Sequence, residues 1–428
     1  MLNRLDLTGV APAELAGRLP RPVVDGDEPI DVVREIIASV RDRGDEALRE
    51  LADRFDGGAP AAFRVSAAQM DAAWDRVDPA LRDALQEAAD SIEAFHRTQR
   101  HGPERHEHRG MVVEGIQQPV RRAGCYVPGG RASYPSTVLM TAVPARVAGV
   151  EQLCLCVPPA SGGEVADVTL AAARIAGVDE VYAVGGAQAI AAMAYGTESI
   201  PAVDVIAGPG NVFVAIAKRE VAGDVGVAAA FAGPSEIVVV ADATAPVGYA
   251  AIDVVVQAEH GPGGLAWLIT ADQSVADNVT AEVARITEGS PRRDDIEATL
   301  AEGGYAVVVD DEDAAMIVAN AIAPEHLQLM VADPRRLVPA VRNAGAVFLG
   351  PLSPASVGDY IAGPSHVLPT NGTARFAGAL TVADFCKDIH VVTLDQGAID
   401  NVANAVATIA DAEGLAAHAE SVRMRTSS

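Results

Sequence analysis

Four short stretches in the second half of the chain each hold a polar side chain able to bind one metal ion. They are Gln257 to His260, Glu325-His326 after Pro324, Gly358-Asp359-Tyr360 and, near the end, Glu413 to His418. Imidazole, carboxylate and amide oxygen together form a borderline-hard donor set that suits Zn²⁺ without thiolates. Gln257 and His260 stand three apart in a helical pattern, so they share a face on which two ligands can meet one ion. His260, just before Gly261-Pro262, would equally cap a helix end. Glu325 beside His326 offers a carboxylate and an imidazole for alternating acid and base steps. A polar loop start has the same look. Asp359 lies in a Pro/Gly-rich segment, where acidic residues also form turns. His418 lies in an Ala-rich helical pattern, where a lone histidine is commonly solvated. His366 follows Pro364-Ser365, not far from Asp359, and Ser235 follows Gly233-Pro234 and precedes Glu236. Ser235 can hydrogen-bond a substrate or cap a turn.

Three glycine turns precede these residues: Tyr126-Val-Pro-Gly-Gly-Arg131, Gly185-Gly-Ala-Gln188 and Gly208-Pro-Gly-Asn211. Glycines at a strand-to-helix turn let backbone N–H groups approach a phosphate, and a helix N-terminus favours the anion. None matches the GxGxxG fingerprint, so each alone is also a plain turn; three in one module suggest a dinucleotide seat. Metal donors, an acid/base pair and a nucleotide seat together point to an oxidoreductase.

Positioning these residues requires a layered scaffold. Residues 1–110 are mostly helical in pattern, with apolar residues at helical spacing over 32–55 and 67–100. The His-rich piece His101 to His108 reads as a solvated loop. From 111 onward short apolar runs at 153–157, 180–184, 203–207 and 237–241 alternate with helical patterns at 165–176, 187–195 and 212–221. The alternation continues with strands at 265–270, 306–309 and 346–349 and helices at 247–259, 275–287 and 313–321. Such alternation implies parallel sheets covered on both faces. The expected fold is α/β, with two Rossmann-like parallel-sheet βα domains. A helical arm spans 1–110, a nucleotide-binding βα domain 111–240, a second βα domain with the metal and acid/base residues 241–378, and a helical tail 379–428.

Composition narrows the partners. The chain has 428 residues and a formal net charge of −26, which gives no general attraction for nucleic acid or an anionic membrane. Lys218 and Lys387 are its only lysines, so Schiff-base chemistry has few candidates. The cysteines Cys125, Cys154, Cys156 and Cys386 form no CxxC pair, and Cys154 and Cys156 alternate in an apolar run that reads as a buried strand. The N-terminus lacks the signal-peptide pattern, and no apolar run reaches membrane-spanning length. A reducing cytoplasm is the expected location.

Taken together, these stretches resemble the histidinol dehydrogenase family. The likeness runs through Tyr126-Val-Pro-Gly-Gly, Pro135-Ser-Thr-Val-Leu-Met-Thr-Ala, Gly185-Gly-Ala-Gln, Tyr195-Gly-Thr-Glu-Ser and Gly208-Pro-Gly-Asn. It continues in Ala232-Gly-Pro-Ser-Glu, Gln257-Ala-Glu-His-Gly-Pro, Pro324-Glu-His-Leu, Gly358-Asp-Tyr, Gly363-Pro-Ser-His and Glu413-Gly-Leu-Ala-Ala-His, nearly the full length. The resemblance implies Gln257, His260, Asp359 and His418 as ligands of one zinc ion and Glu325 and His326 as the acid/base pair. It implies Ser235, His366 and Glu413, with the ligand residues and His326, as substrate contacts. Tyr126, Gln188 and Asn211 would contact NAD. It further implies a homodimer in which the tail, with Glu413 and His418, completes the neighbouring subunit's site. The implied reaction, in histidine biosynthesis, is four-electron oxidation of L-histidinol to L-histidine through the aldehyde, with two NAD⁺.

The chain departs from the family pattern at Ala228-Ala229, where Ile-Asp is usual, at Val256 and at Ser365. These leave every implied ligand and catalyst in place but alter the pocket, so a paralogue oxidising another polar alcohol is a second reading. A thiohemiacetal route on Cys125 is an alternative to the water-based second oxidation. A zinc hydrolase with Glu325 activating water, and a non-catalytic NAD-binding scaffold, are readings from other classes. Stoichiometric NADH formation separates the oxidoreductase from both.

Overall fold

The structure, a computed structural model, describes residues 1–20, 29–129, 133–160, 163–228, 235–261 and 263–427. Its strands begin, in chain order, with β1 (Asn3–Asp6), β2 (Glu104–His108), β3 (Met111–Pro119), β4 (Arg122–Tyr126) and β5 (Gln152–Val157). Next come β6 (Glu180–Ala183), β7 (Val205–Ala207), β8 (Gly226–Val227), β9 (Glu236–Ala241) and β10 (Leu265–Thr270). The last are β11 (Gly304–Val308), β12 (His326–Met330), β13 (Ala346–Leu349) and β14 (Cys386–Thr393).

Strands buried on both faces tolerate continuous apolar sequence, and β9 and β10 are buried at every position. They lie inside a six-stranded sheet ordered β1-β11-β10-β9-β12-β13, parallel throughout. A five-stranded parallel sheet is ordered β6-β5-β4-β7-β8. Cys154 and Cys156 are buried in its β5, as their alternation predicts. The chain reverses direction across each sheet, between β4 and β7 in the smaller and between β9 and β12 in the larger. Such switch points open crevices at strand ends.

The expected helical stretch 1–110 divides in two. Its first residues form β1 and the helix Pro12–Arg18, which join the six-stranded sheet and the helix Glu312–Ile322. A four-residue edge strand is too short to display a period, so sequence pattern does not register it. The helices Ile30–Arg43 and Asp45–Phe55 pack on Gly186–Tyr195 and its neighbours, while Pro79–Arg97 packs on Pro135–Ala148. These helices thus contribute to two apolar clusters around the five-stranded sheet.

The piece 101–108, expected as a loop, carries strand β2, exposed at every position and antiparallel to β3. The final stretch, expected as helical, likewise begins with β14, antiparallel to the other side of β3. Charged and apolar residues alternate irregularly in this ribbon because much of both faces meets solvent. The helices Gln396–Ala412 and Ala416–Arg423 follow and pack on each other through Ala407, Ala410, Ala419 and Val422. Among the described residues no helix is long and apolar enough to cross a membrane.

The turn after β7 sets a backbone requirement. Gly208 has φ +112°, and a methyl group there would collide with the carbonyl oxygen of Tyr126 at the end of β4. Gly208→Ala is therefore expected to lower the unfolding free energy by about 2 kcal/mol, measured by urea titration. An unchanged midpoint would contradict the close approach of these two strand ends.

Candidate active site

Glu236 opens β9 and His326 opens the adjacent β12, with His326 in register beside Ile237. They lie at the amino ends of the strands flanking the switch point, opposite the end where open α/β sheets usually carry ligands. The backbone of Glu236 holds both members of the expected acid/base pair. Its N–H donates to Glu325 Oε2 at 3.0 Å, and its carbonyl oxygen accepts from His326 Nδ1 at 3.2 Å. On the other side of the ring, His326 Nε2 donates to Asp359 Oδ1 at 3.1 Å. Both ring nitrogens therefore face acceptors, the arrangement of an imidazolium. Burial opposes that charge, but the Glu325 carboxylate and the hydrogen bond to Asp359 raise His326 to about 9. Burial pushes Glu325 up to about 7 against the pull of His326 and the Glu236 N–H.

Asp359 is not in a loop but in the short helix Ala355–Tyr360. Gly358 precedes it because a side chain there would collide with the ring of Phe348, which stacks on His326 at 5.9 Å between centroids. Burial alone would raise the Asp359 carboxyl; the His326 hydrogen bond and the charges of His326, His366 and His260 bring it below its ordinary value. His366 braces the same helix. Its Nδ1 donates to the Asp359 carbonyl at 2.8 Å, and its Nε2 lies 3.2 Å from Thr137 Oγ1. Ser365 adds a bond from its hydroxyl to the Met140 carbonyl at 2.9 Å. These contacts fasten the loop after β13 to the helix Pro135–Ala148, which follows β4. Ser235 leads into β9 and is half-buried.

Gln257 and His260 sit at the C-terminal end of the helix Val247–Ala258. Gln257 is 2 % exposed, yet its Oε1 has no hydrogen-bond partner among the described residues. His260 is exposed and feels the charges of Asp359 and His326. An unpaired buried amide oxygen is costly. One turn from an imidazole that senses a buried carboxylate, it fits a divalent cation of borderline hardness. No three His, Cys, Asp or Glu among the described residues converge as a complete metal cage. His418 and Glu413 explain part of this, being exposed at the far end of the tail helices, with no described bond to the cluster.

A second feature lies beyond the carboxyl ends of β4 and β7. It is a cavity of about 730 Å³ lined by Tyr126, Gln188 and Asn211 together with Gly129, Gly186 and Phe213. Tyr126 accepts the Gly186 N–H at 3.0 Å, and Asn211 caps the helix Val212–Val221 through Val214 N–H. Ser133 lines the cavity and Thr137, one helical turn later, touches His366, so the cavity adjoins the acid/base cluster. Gly130 to Ala132, Ala229, the Ala232-Gly233-Pro234 stretch and Pro262 lie outside the described residues. Cys125 is fully buried behind this cavity in β4, and burial pushes its thiol up to about 12.

Sequence reasoning missed several contributors. Glu236 was visible only as a neighbour of Ser235, yet its carboxyl is buried, accepts from Asn371 N–H at 3.1 Å through Oε1 and is pushed up to about 8 by burial and by Glu325. Thr137 stood out only as part of the stretch Pro135-Ser-Thr-Val, and Phe348 was not singled out. Lys218, fully buried, donates to the Gly208 carbonyl at 2.7 Å under the turn after β7. An isolated lysine inside an apolar helical run was the available signal.

Comparison with known proteins gives the family. The family model described as histidinol dehydrogenase matches residues 19–426. A histidinol dehydrogenase of Parasynechococcus marenigrum (strain WH8102) is 49 % identical over 395 residues, 92 % of this chain and 90 % of that one. One from Methanothermobacter thermautotrophicus is 45 % identical over 95 % of each chain. The crystal structure of histidinol dehydrogenase from Elizabethkingia anophelis superposes with a TM-score of 0.94 at 33 % identity, over 99 % of this chain and 98 % of that one. The chain is therefore an oxidoreductase belonging to the histidinol dehydrogenase family.

Proposed function

We propose that this protein oxidises L-histidinol to L-histidine through the aldehyde, with NAD⁺ and zinc, as a homodimer that shares its two sites. The observation that carries the reading is the chain of buried Glu325 and His326 with half-buried Asp359, in a member of this family, with an unpaired Gln257 oxygen one turn from His260, which feels Asp359. The overall balance is one alcohol, two NAD⁺ and one water giving one carboxylate, two NADH and three protons.

With Asp359 engaged as a metal ligand, His326 would lose the bond that favours its charged form. The neutral ring takes the hydroxyl proton as the first hydride leaves the carbinol carbon, and Glu325 takes a proton from the water that adds to the resulting aldehyde. Loss of the second hydride from that hydrate gives the acid. A buried carboxyl raised to about 7 suits proton transfer near neutral pH. Ser235 and His366, with Glu413 of the partner subunit, contact the substrate, and Tyr126, Gln188 and Asn211 hold NAD. Gln257, His260 and Asp359, with His418 of the partner subunit, would hold the zinc ion. When bound, that ion supplies a template orienting the substrate's imidazole and amine nitrogens. NAD⁺ supplies the hydride acceptor for each oxidation.

Two features support the shared site. Glu413 and His418 stand apart from the other site residues, and the unit that carries them leaves apolar side chains in solvent. Val392, Ile409 and Met424 are 58 %, 61 % and 76 % exposed. A second copy of the chain would cover such a surface. The thiol route is disfavoured, because a fully buried Cys125 with its thiol near 12 offers little thiolate.

Replacing His326 by Asn is expected to leave histidinol binding in place and slow NADH formation by roughly 10²-fold or more. A wild-type rate in stopped-flow turnover would remove His326 from proton transfer. Subunit mixing tests the shared site. His418→Ala and Glu325→Gln proteins, each inactive, are unfolded together in equal amounts and refolded. Half the dimers are then hybrids with one sound site each, giving roughly a quarter of wild-type activity. Activity staying at the background of the separate variants would place His418 in its own chain's site.

A further inference from the structure

The nucleotide cavity receives a wall from the N-terminal helices, a part of the chain in which the sequence offered no chemistry. Phe55 ends the helix Asp45–Phe55 and Asp56 caps it, its N–H bonded to the Ala52 carbonyl at 2.8 Å before Gly57 turns the chain at φ +77°. Both residues line the cavity. Burial raises the Asp56 carboxyl, and interaction with the Gln188 side chain lowers it; Gln188 is 3 % exposed in the first turn of the helix Gly186–Tyr195. Phe213 lines the same cavity, and both Phe55 and Phe213 are exposed.

These groups divide the recognition of an adenosine. Exposed aromatic faces provide stacking surfaces for a base, while a carboxylate beside a buried amide accepts hydrogen bonds from ribose hydroxyls. Among the described lining residues Asp56 is the single charged side chain, with no Lys or Arg beside it. A phosphate on the 2′-oxygen would therefore meet one negative charge at close range and no described counter-charge. We infer that Asp56 selects a dinucleotide with a free adenosine 2′-hydroxyl against its 2′-phosphorylated form. The inference rests on the proposed reading of this cavity as the NAD site.

The test measures kcat/KM for histidinol-dependent reduction of NAD⁺ and NADP⁺ in the zinc-loaded wild-type enzyme and in Asp56→Asn and Asp56→Ser. NADH binding is followed in parallel by fluorescence titration. The wild type is expected to prefer NAD⁺ by about 100-fold or more, and each variant to reduce that ratio at least about tenfold, through weaker NAD⁺ binding and improved use of NADP⁺. A ratio kept within about twofold in both variants, with NADH binding intact in the wild type, overturns the role of Asp56 and leaves the NAD reading standing. A wild-type enzyme that binds no NADH overturns that reading and this inference with it.

Discussion

Three carboxyl groups and an amide oxygen are buried or half-buried around the amino ends of β9 and β12, and their charge has to be met from within the site. Glu325 and Asp359 flank the His326 imidazole, the Glu236 backbone carbonyl accepts from its Nδ1, and the Glu236 carboxyl lies beyond Glu325 on the Asn371 N–H. The consequences are visible in the ionisation of the group. Burial drives Glu236 and Glu325 toward neutrality, while His326 is pulled toward the charged form. Gln257 Oε1, buried without a donor, marks a point where an electropositive partner belongs. An oxidoreductase that must move protons can use such a set, because Glu236, Glu325 and His326 lie close to the neutral–charged boundary while Asp359 stays charged.

The scaffold supplies this crowding with two switch points used in opposite senses. The five-stranded sheet opens its crevice beyond the carboxyl ends of β4 and β7, where glycine turns and helix N-termini favour a phosphate. The six-stranded sheet instead presents the amino ends of β9 and β12. The helix Pro135–Ala148 joins the two, beginning beside the cavity and touching His366 one turn later. Small residues make the close approaches possible: Gly208 against Tyr126, and Gly358 against Phe348. Hydride donor and acceptor could then be held against one another by rigid elements, with no long loop responsible for the alignment.

Much of this was legible in the residues because buried parallel strands leave a simple mark. The apolar runs that form β5, β9, β10 and β13 and most helices between them stand out within one or two residues, although the helix Arg293–Gly303 went unread. His326, Asp359 and Gln257 were identifiable as chemical candidates from type and spacing. What escaped was set by tertiary contact. β1 is too short to carry a period, and β12 begins with His326 directly after Glu325, a polar start that disguises a fully buried strand. The ribbon β2-β3-β14 meets solvent broadly, so its alternation is blurred. Glu236 acts through its own backbone as much as through its carboxyl, a role no side-chain pattern reports. Asp56 and Phe55 reach the cavity only because two N-terminal helices fold back over the first sheet.

The account turns on a divalent cation being the missing partner of Gln257 and Asp359. Calorimetric titration of chelator-stripped protein with Zn²⁺ tests it directly, alongside Gln257→Leu, which keeps the volume and removes the oxygen. One ion per chain in the wild type is expected, with affinity lowered at least about tenfold in the variant. Undiminished affinity in Gln257→Leu, or no stoichiometric binding in the wild type, would contradict it.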